Sequence, residues 1–142
     1  MSGLTPTILL IEDSPDDVFF MRRALKKAQI NLPLQVAVDG QQALDYLAGA
    51  GKYSARTVHP LPSLIFLDLK LPFVSGFDVL SWLRGQPSLS DLPVVILTGS
   101  SEDRDRQKAL ELGAKAYLVK PPTPEMLLQA IKYLPQPQTA PA

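Results

Sequence analysis

Short apolar runs alternate along this chain with segments of helical periodicity, and this alternation restricts the fold more than any other feature. Each run is too short for a free-standing helix and is typical of a strand buried on both faces. The second run alternates more with polar residues, so we expect it at an edge of the sheet. The runs lie at residues 7–11, 34–38, 64–67, 94–97 and 116–119. Strand and helix in five successive repeats predict an α/β fold with a parallel five-stranded sheet, right-handed crossovers and helices on both faces.

The segments between the runs carry the start and stop signals of helices. Residues 14–17 offer an N-cap serine, a proline for the first helical position and two aspartates that complement the helix dipole. Residues 39–42 resemble a capping box, and Gly49 is a stop signal for that helix. Residues 75–78 and 123–125 are further caps. Together with a helix that begins near Ser101, these signals predict five helices.

Two stretches depart from this regular pattern. Residues 50–62 show little periodicity, and we interpret them as an exposed loop in which His59 has no chemical role. The helix that begins near Ser101 is mostly charged, so we expect it to pack weakly on the core and to be a candidate moving element.

The bulk composition excludes several classes of protein. A chain of 142 residues with 46% apolar content fits one domain with a real core, and we expect residues 135–142 to form a flexible tail. Fourteen basic and fourteen acidic residues cancel, which gives no indication of a nucleic acid or anionic membrane partner. The lack of cysteine excludes thiol chemistry and disulfides. With no signal peptide and no run near the ~20 apolar residues that span a bilayer, we expect a cytoplasmic domain.

Polar residues follow the apolar runs at the ends where a parallel sheet gathers them. Asp68 ends the central run, and alone it is as compatible with a turn cap as with a functional site. Glu12, Asp13, Thr98 and Lys120 follow three other runs and should converge on the same edge. Clustered carboxylates without histidine favour a hard divalent ion such as Mg²⁺. A phosphoryl group arriving at Asp68 would meet metal, ammonium and hydroxyl together, which favours phosphoryl transfer with Asp68 as nucleophile.

With these residues in this order, the sequence resembles the receiver domain of two-component response regulators, the CheY-like family. The resemblance covers roughly residues 6–134. Thr98 lies 30 residues after Asp68, and Lys120 lies 22 residues after Thr98, both usual spacings in that family. The resemblance implies a single receiver domain with a doubly wound, flavodoxin-like sheet of strand order 2-1-3-4-5.

The resemblance also implies the chemistry of the site. Asp68 would accept a phosphoryl group from a sensor histidine kinase. Asp13 would bind Mg²⁺ (or Mn²⁺) directly and Glu12 through water, with Asp68 and the main-chain carbonyl of Lys70 as further ligands. Such a protein is a phosphoacceptor that catalyses only its own phosphoryl transfer and autodephosphorylation, and is not a conventional enzyme.

Further positions match the family's switch machinery. Thr98 and Lys120 would hold the phosphoryl oxygens, and Gly99 would leave an open approach to the aspartate. Tyr117 matches the aromatic residue that turns inward when the threonine moves toward phosphate. The resemblance implies a cis peptide between Lys120 and Pro121, and an output face made of the fourth helix, fifth strand and fifth helix.

Three features point to a subfamily, the stand-alone regulators paired with bacterial phytochromes. These are the sequence of residues 11–17, the lengthened loop at 50–62 and the lack of an output domain. Members of that group often form homodimers, so we expect a dimer through the output face and tail. Two departures are Glu12, where Asp is commoner, and the variable side chain of Lys70, whose effect on phosphoryl lifetime has no predicted sign.

Three other readings share parts of this pattern. A flavodoxin-like nucleotide binder would need backbone N–H groups at its first loop, where this chain has acidic residues. A hydrolase of the haloacid dehalogenase type would carry its D-x-D motif after the first strand, whereas here the nucleophile follows the third strand and Lys70 occupies the second aspartate's position. The serious competitor is a pseudo-receiver, an interaction module that never cycles phosphate, although all five site positions carry competent side chains.

Overall fold

The structure, a computed structural model, describes residues 5–135, and the predicted tail beyond Pro135 lies outside the described residues. The strands are β1 (Ile8–Ile11), β2 (Leu34–Ala37), β3 (Leu64–Leu67), β4 (Val94–Thr98) and β5 (Ala116–Val119). The helices are α1 (Pro15–Lys27), α2 (Gly40–Ala48), α3 (Gly76–Arg84), α4 (Asp103–Glu111) and α5 (Pro124–Ala130). Single 3₁₀ turns follow α2 and α5, at Gly51–Ser54 and Ile131–Tyr133. No helix in this described part of the chain is both long and apolar enough to cross a bilayer.

The five strands form one parallel sheet in the order β2-β1-β3-β4-β5. This order confirms the predicted fold, including the edge position of β2, whose residues are mostly half-buried. The register aligns Ile11 with Leu67, and Leu67 with Ile96. Consequently the carboxyl ends of β1, β3 and β4 lie side by side, where α/β sheets place their ligands.

Alternate residues of each strand face two separate apolar layers. Leu9 and Ile11 join the layer covered by α2, α3 and α4, whereas Ile8 and Leu10 join the layer covered by α1 and α5. All four side chains are at most 2% exposed. Burying each one stabilises the fold by about 1.5–3 kcal/mol. Because both faces of the strands are buried, their sequences are continuous apolar runs and do not alternate with polar residues.

The helix caps follow the sequence signals closely. Ser14, Ser75 and Thr123 accept hydrogen bonds from backbone N–H groups in the first turns of α1, α3 and α5. Asp39 caps α2 in the same way, but the Gln42 side chain accepts from the N–H of Val38, one residue before the cap. The first turn of α2 therefore differs slightly from the predicted capping box.

The charged helix α4 rests lightly on the sheet. Ala109 is its only buried residue. The Arg106 guanidinium lies 4.8 Å from the centre of the Tyr117 ring on β5, which adds a cation–π contact at the edge of this helix. The weak packing predicted from composition is therefore present, while movement of α4 stays a prediction.

The interpretation of residues 50–62 as an exposed loop was wrong in part. Tyr53, in the 3₁₀ turn, is only 8% exposed, and its ring packs against those of Tyr46 and His59. Arg56 donates hydrogen bonds to the carbonyls of Tyr46 and Leu47 at the end of α2. Part of this segment therefore packs on the end of α2 through its aromatic rings. Arg56 also satisfies helix-terminal carbonyls that would otherwise need water as a hydrogen-bond partner.

Candidate functional site

The backbone ladder continues for one residue past the strand ends and so fixes the positions of the site side chains. The Asp68 N–H donates to the Ile11 carbonyl at 3.1 Å, and the Lys120 N–H donates to the Thr98 carbonyl at 2.8 Å. The Glu12 N–H is held in the same way by β2. Residues far apart in the sequence thereby meet at one edge of the sheet, as the parallel topology predicts.

Three carboxylates converge at this edge. One oxygen from each of Glu12, Asp13 and Asp68 lies within 4.8 Å of the others. Glu12 and Asp68 are buried, at 2% and 6% exposed, whereas Asp13 faces solvent. Three carboxylate oxygens without histidine or thiol are the donor set of a hard divalent cation, so the cluster fits a divalent metal ion.

The Lys120 ammonium lies in the middle of this acidic edge. Its Nζ is 2.5 Å from Glu12 Oε1, 2.7 Å from Asp17 Oδ2 and 2.9 Å from Asp68 Oδ2. Burial by itself lowers the pKa of Lys120, but the three carboxylates raise it and the net shift is upward. The lysine therefore stays charged and partly neutralises the repulsion among the acidic groups.

Glu12 is the acidic residue most affected by its surroundings. Burial raises the pKa of the Glu12 carboxyl to about 7; the hydrogen bond from Lys120 opposes this shift, and the Asp68 charge reinforces it. Glu12 Oε2 also accepts a hydrogen bond from the Ser14 N–H at 3.2 Å. The side chain is thus oriented toward the site by contacts on both of its oxygens.

Asp17 belongs to the site although the sequence indicated only a helix-dipole role for it. Its backbone N–H donates to the N-cap Ser14 Oγ at 3.3 Å, and its carboxylate reaches Lys120 across 103 residues of sequence. Side chains of a helix tilt toward its N-terminus, so a residue in the first turn of α1 can lean over the sheet edge. That tilt was the one available signal, and it does not identify the partner.

The second oxygen of Asp68 faces the following loop. Asp68 Oδ1 accepts a hydrogen bond from the Lys70 N–H at 3.2 Å, while the Lys70 side chain is exposed. Gly76, at the start of α3, packs directly beneath this loop, because a Cβ at position 76 would lie 2.2 Å from the Asp68 carbonyl oxygen. Only glycine allows this approach.

Thr98 is the last residue of β4, the strand next to β3, and Gly99 follows it. Thr98 is fully buried, and its Oγ1 has no hydrogen-bond partner among the described residues. A buried hydroxyl without a partner is costly, which makes Thr98 a donor ready for an incoming acceptor. Gly99 is exposed, and a side chain at this position would meet no atom within 4 Å. The approach beside Thr98 is therefore open.

Tyr117 points into the protein. Its ring is 6% exposed and its hydroxyl donates to the Ser100 carbonyl at 2.8 Å. Burial raises the pKa of Tyr117 above its usual value, so the hydroxyl remains a donor. The peptide bond between Lys120 and Pro121 is cis, as the resemblance implied. The structure thus brings Glu12, Asp13, Asp68 and Lys120 together and adds Asp17 to them.

Comparison with known proteins agrees with this geometry. The response regulator receiver domain family matches residues 8–132, which include all five strands. This chain belongs to the response regulator receiver family. Receiver domains of response regulators are signalling proteins, so the expectation that the chain is not a conventional enzyme agrees with its family.

Several similar solved structures are described as phytochrome or bacteriophytochrome response regulators. The solved structure of the bacteriophytochrome response regulator AtBRR is 40% identical, with a TM-score of 0.82, and the match covers 93% of this chain and 94% of AtBRR. Response regulator Rcp1 of Synechocystis is 38% identical over 113 residues, which are 80% of this chain and 75% of Rcp1. Its Mn²⁺-bound structure has a TM-score of 0.77 at 34% identity, covering 96% of this chain and 99% of that chain.

Two further comparisons show the range of the family. The phosphorylated cyanobacterial phytochrome response regulator RcpA is 30% identical, with a TM-score of 0.77, over 91% of this chain and 90% of RcpA. In contrast, a probable cyclic di-GMP phosphodiesterase of Vibrio cholerae is 35% identical over 115 residues, which are 81% of this chain but only 23% of that protein. The receiver domain therefore occurs in relatives of very different length.

Proposed function

We propose that this receiver domain accepts a phosphoryl group on Asp68 from a sensor histidine kinase of the phytochrome type. The observation that carries the proposal is the convergence of Asp68 with the Lys120 ammonium, 2.9 Å away, and with two further carboxylates. A carboxylate that merely capped a turn would not need a buried cation and a metal-type donor set around it. This arrangement suits a nucleophile that receives a dianionic group.

The proposed transfer is a simple displacement at phosphorus. A carboxylate oxygen of Asp68 forms the new P–O bond as the P–N bond of the donor phosphohistidine breaks, and the kinase imidazole leaves with the electron pair. Lys120 and the unpartnered Thr98 hydroxyl neutralise and bind the phosphoryl oxygens. Mg²⁺, held by Glu12, Asp13 and Asp68 with the Lys70 carbonyl as a further ligand, would neutralise charge that develops on the phosphoryl group.

Phosphorylation would then change the conformation of the face formed by α4, β5 and α5, which a partner protein could recognise. A phosphoryl group that draws Thr98 and Lys120 toward itself favours one of two arrangements of this face, with Tyr117 and Gly99 next to the moving threonine. We propose the same face as a homodimer interface. The contact between Arg106 and Tyr117 joins α4 to β5 and would report the change.

The proposed kinase class comes from the relatives. AtBRR and RcpA are described as regulators of a bacteriophytochrome and a phytochrome, and RcpA was solved in its phosphorylated form. Identity of 30–40% over more than nine tenths of this chain supports a kinase of the same type. The Mn²⁺-bound form of Rcp1 supports a divalent ion at the acidic cluster.

The proposal is tested with acetyl phosphate and Mg²⁺, followed by intact-mass spectrometry. We expect the mass of one added phosphoryl group in the parent chain and in Asp16→Asn, which removes an exposed carboxylate from the first turn of α1. Asp68→Asn should show none. Unchanged labelling of Asp68→Asn would refute the assignment. No labelling of the parent would leave the phosphorylation-independent interaction module as the better reading.

The partner and the assembly need separate measurements. Phosphotransfer from a panel of labelled histidine kinases should be fastest with phytochrome-type kinases, and equal rates across the panel would contradict the pairing. Light scattering before and after phosphorylation measures the oligomeric state. A monomer under both conditions would rule out the homodimer.

A further inference from the structure

Asp17 differs from the other two carboxylates that contact Lys120. Glu12 and Asp68 belong to the three-carboxylate cluster and are almost fully buried, with side chains 2% and 7% exposed. Asp17 lies outside that cluster, and its side chain is 35% exposed. A divalent ion bound to the cluster would therefore share Glu12 and Asp68 with the Lys120 ammonium, but it would not share Asp17.

The backbone of Asp17 is held by the first turn of α1 and not by a contact with the three-carboxylate cluster. Its backbone N–H is bound to the N-cap Ser14 Oγ, and Pro15 fixes the first turn of the same helix. Lysine offers three N–H donors, and in this structure three carboxylates lie within 2.9 Å of the Lys120 nitrogen. A dication and the ammonium compete for Glu12 and Asp68, since both are positive charges that need the same oxygens.

We propose that Asp17 is a positioning residue that retains the Lys120 ammonium at the margin of the cluster, so that Glu12 and Asp68 can bind a divalent ion without expelling the lysine. This inference rests on the proposed function, because it takes the acidic cluster as the metal site. Without Asp17 the ammonium has only the metal's own ligands to bind, and it opposes the metal more strongly.

The experiment measures Mn²⁺ affinity by the loss of the free-ion EPR signal in the full chain. Asp17→Asn is compared with Asp16→Asn, which removes the same charge from the same helical turn at an exposed position. We expect Asp17→Asn to weaken Mn²⁺ binding about fivefold more than Asp16→Asn, the effect of about 1 kcal/mol expected for a partly exposed ion pair.

A double-mutant cycle separates positioning from a purely structural effect. In a Lys120→Ala background, Asp17→Asn and Asp16→Asn should weaken Mn²⁺ binding equally, because no ammonium remains to be held. Equal losses in the parent background, or an excess loss that persists without Lys120, would overturn the role of Asp17 alone. Absence of Mn²⁺ binding by the parent chain would overturn both this inference and the metal part of the proposed function.

Discussion

The Lys120 ammonium binds Asp68 Oδ2 at 2.9 Å although 52 residues separate them in the sequence. It also contacts Glu12, so a single cation offsets two buried carboxylates. Its place at the centre of the acidic edge means that the stability of the metal-free domain should depend on this one side chain.

Lys120→Ala should lower the free energy of unfolding of the metal-free protein by about 3 kcal/mol, because removing one partner of a buried ion pair leaves charges uncompensated. Urea denaturation in the presence of a chelator measures the change. Mg²⁺ should restore part of it, since the ion binds the folded state. Lys115→Ala, an exposed control of the same charge, should change stability by less than about 0.5 kcal/mol. Equal losses in the two variants would contradict the prediction.

Thr98→Val should separate stability from phosphorylation. The Oγ1 hydroxyl has no partner in the described structure, so its replacement by a methyl group should leave stability unchanged or raise it by up to about 1 kcal/mol. Phosphorylation by acetyl phosphate should slow roughly 10- to 100-fold, because a hydrogen bond to a charged group contributes about 1.5–3 kcal/mol.

Thr98→Ser is the matched control for that change. It keeps the hydroxyl and loses a buried methyl group, so stability should fall by about 1 kcal/mol while the phosphorylation rate stays within a few-fold. A Thr98→Val protein that is phosphorylated at the parent rate would show that the hydroxyl does not bind the phosphoryl group.

Gly76→Ala should damage both the fold and the site. Its new Cβ would lie 2.2 Å from the Asp68 carbonyl oxygen and 2.7 Å from Leu69 Cα, and backbone atoms cannot rotate away. We expect a loss of about 2–3 kcal/mol and at least tenfold slower phosphorylation. Gly99→Ala, where the added methyl group meets no atom, should keep parent stability. Thermal melts and mass spectrometry test both variants.

Phe73 occupies a conformation that phenylalanine rarely adopts. Its φ is 67° and its side chain is 98% exposed, so little burial compensates for the left-handed backbone. Phe73→Asn should raise the free energy of unfolding by about 0.5–1 kcal/mol, because Asn tolerates this region better. Alanine lacks the short polar side chain that lets Asn adopt this region, so Phe73→Ala should change stability little. A gain of the same size in both variants would show that exposure of the ring, not backbone strain, is the cause.

The sequence predicted the elements that local patterns specify. Strands of apolar residues and caps such as Ser14 and Thr123 depend on neighbours within a few positions, and the structure has them where the signals lie. The convergence of Glu12, Asp13 and Asp68 followed from topology, since parallel strands end at one edge.

Interactions between long side chains and distant partners could not be predicted in this way. The Arg56 guanidinium satisfies carbonyls at the end of α2, and Asp17 reaches Lys120, yet neither residue belongs to a periodic pattern. The first contact depends on how the chain folds back after α2, and the second on how α1 packs over the sheet edge. Neither is specified by neighbours in the sequence, so the sequence predicts an exposed loop at residues 50–62 and only a dipole role for Asp17.

The shallow burial of α4 also bears on how completely phosphorylation could switch the protein between two states. Inverting a two-state equilibrium from 1:99 to 99:1 takes about 5.5 kcal/mol, more than a few new hydrogen bonds reliably supply. Ala109 is the one buried residue of α4, so we expect alternative placements of this helix to differ little in energy. Under the proposed function, a small free-energy input would then shift the equilibrium. The consequence is that some unphosphorylated molecules would adopt the active arrangement and some phosphorylated molecules would not.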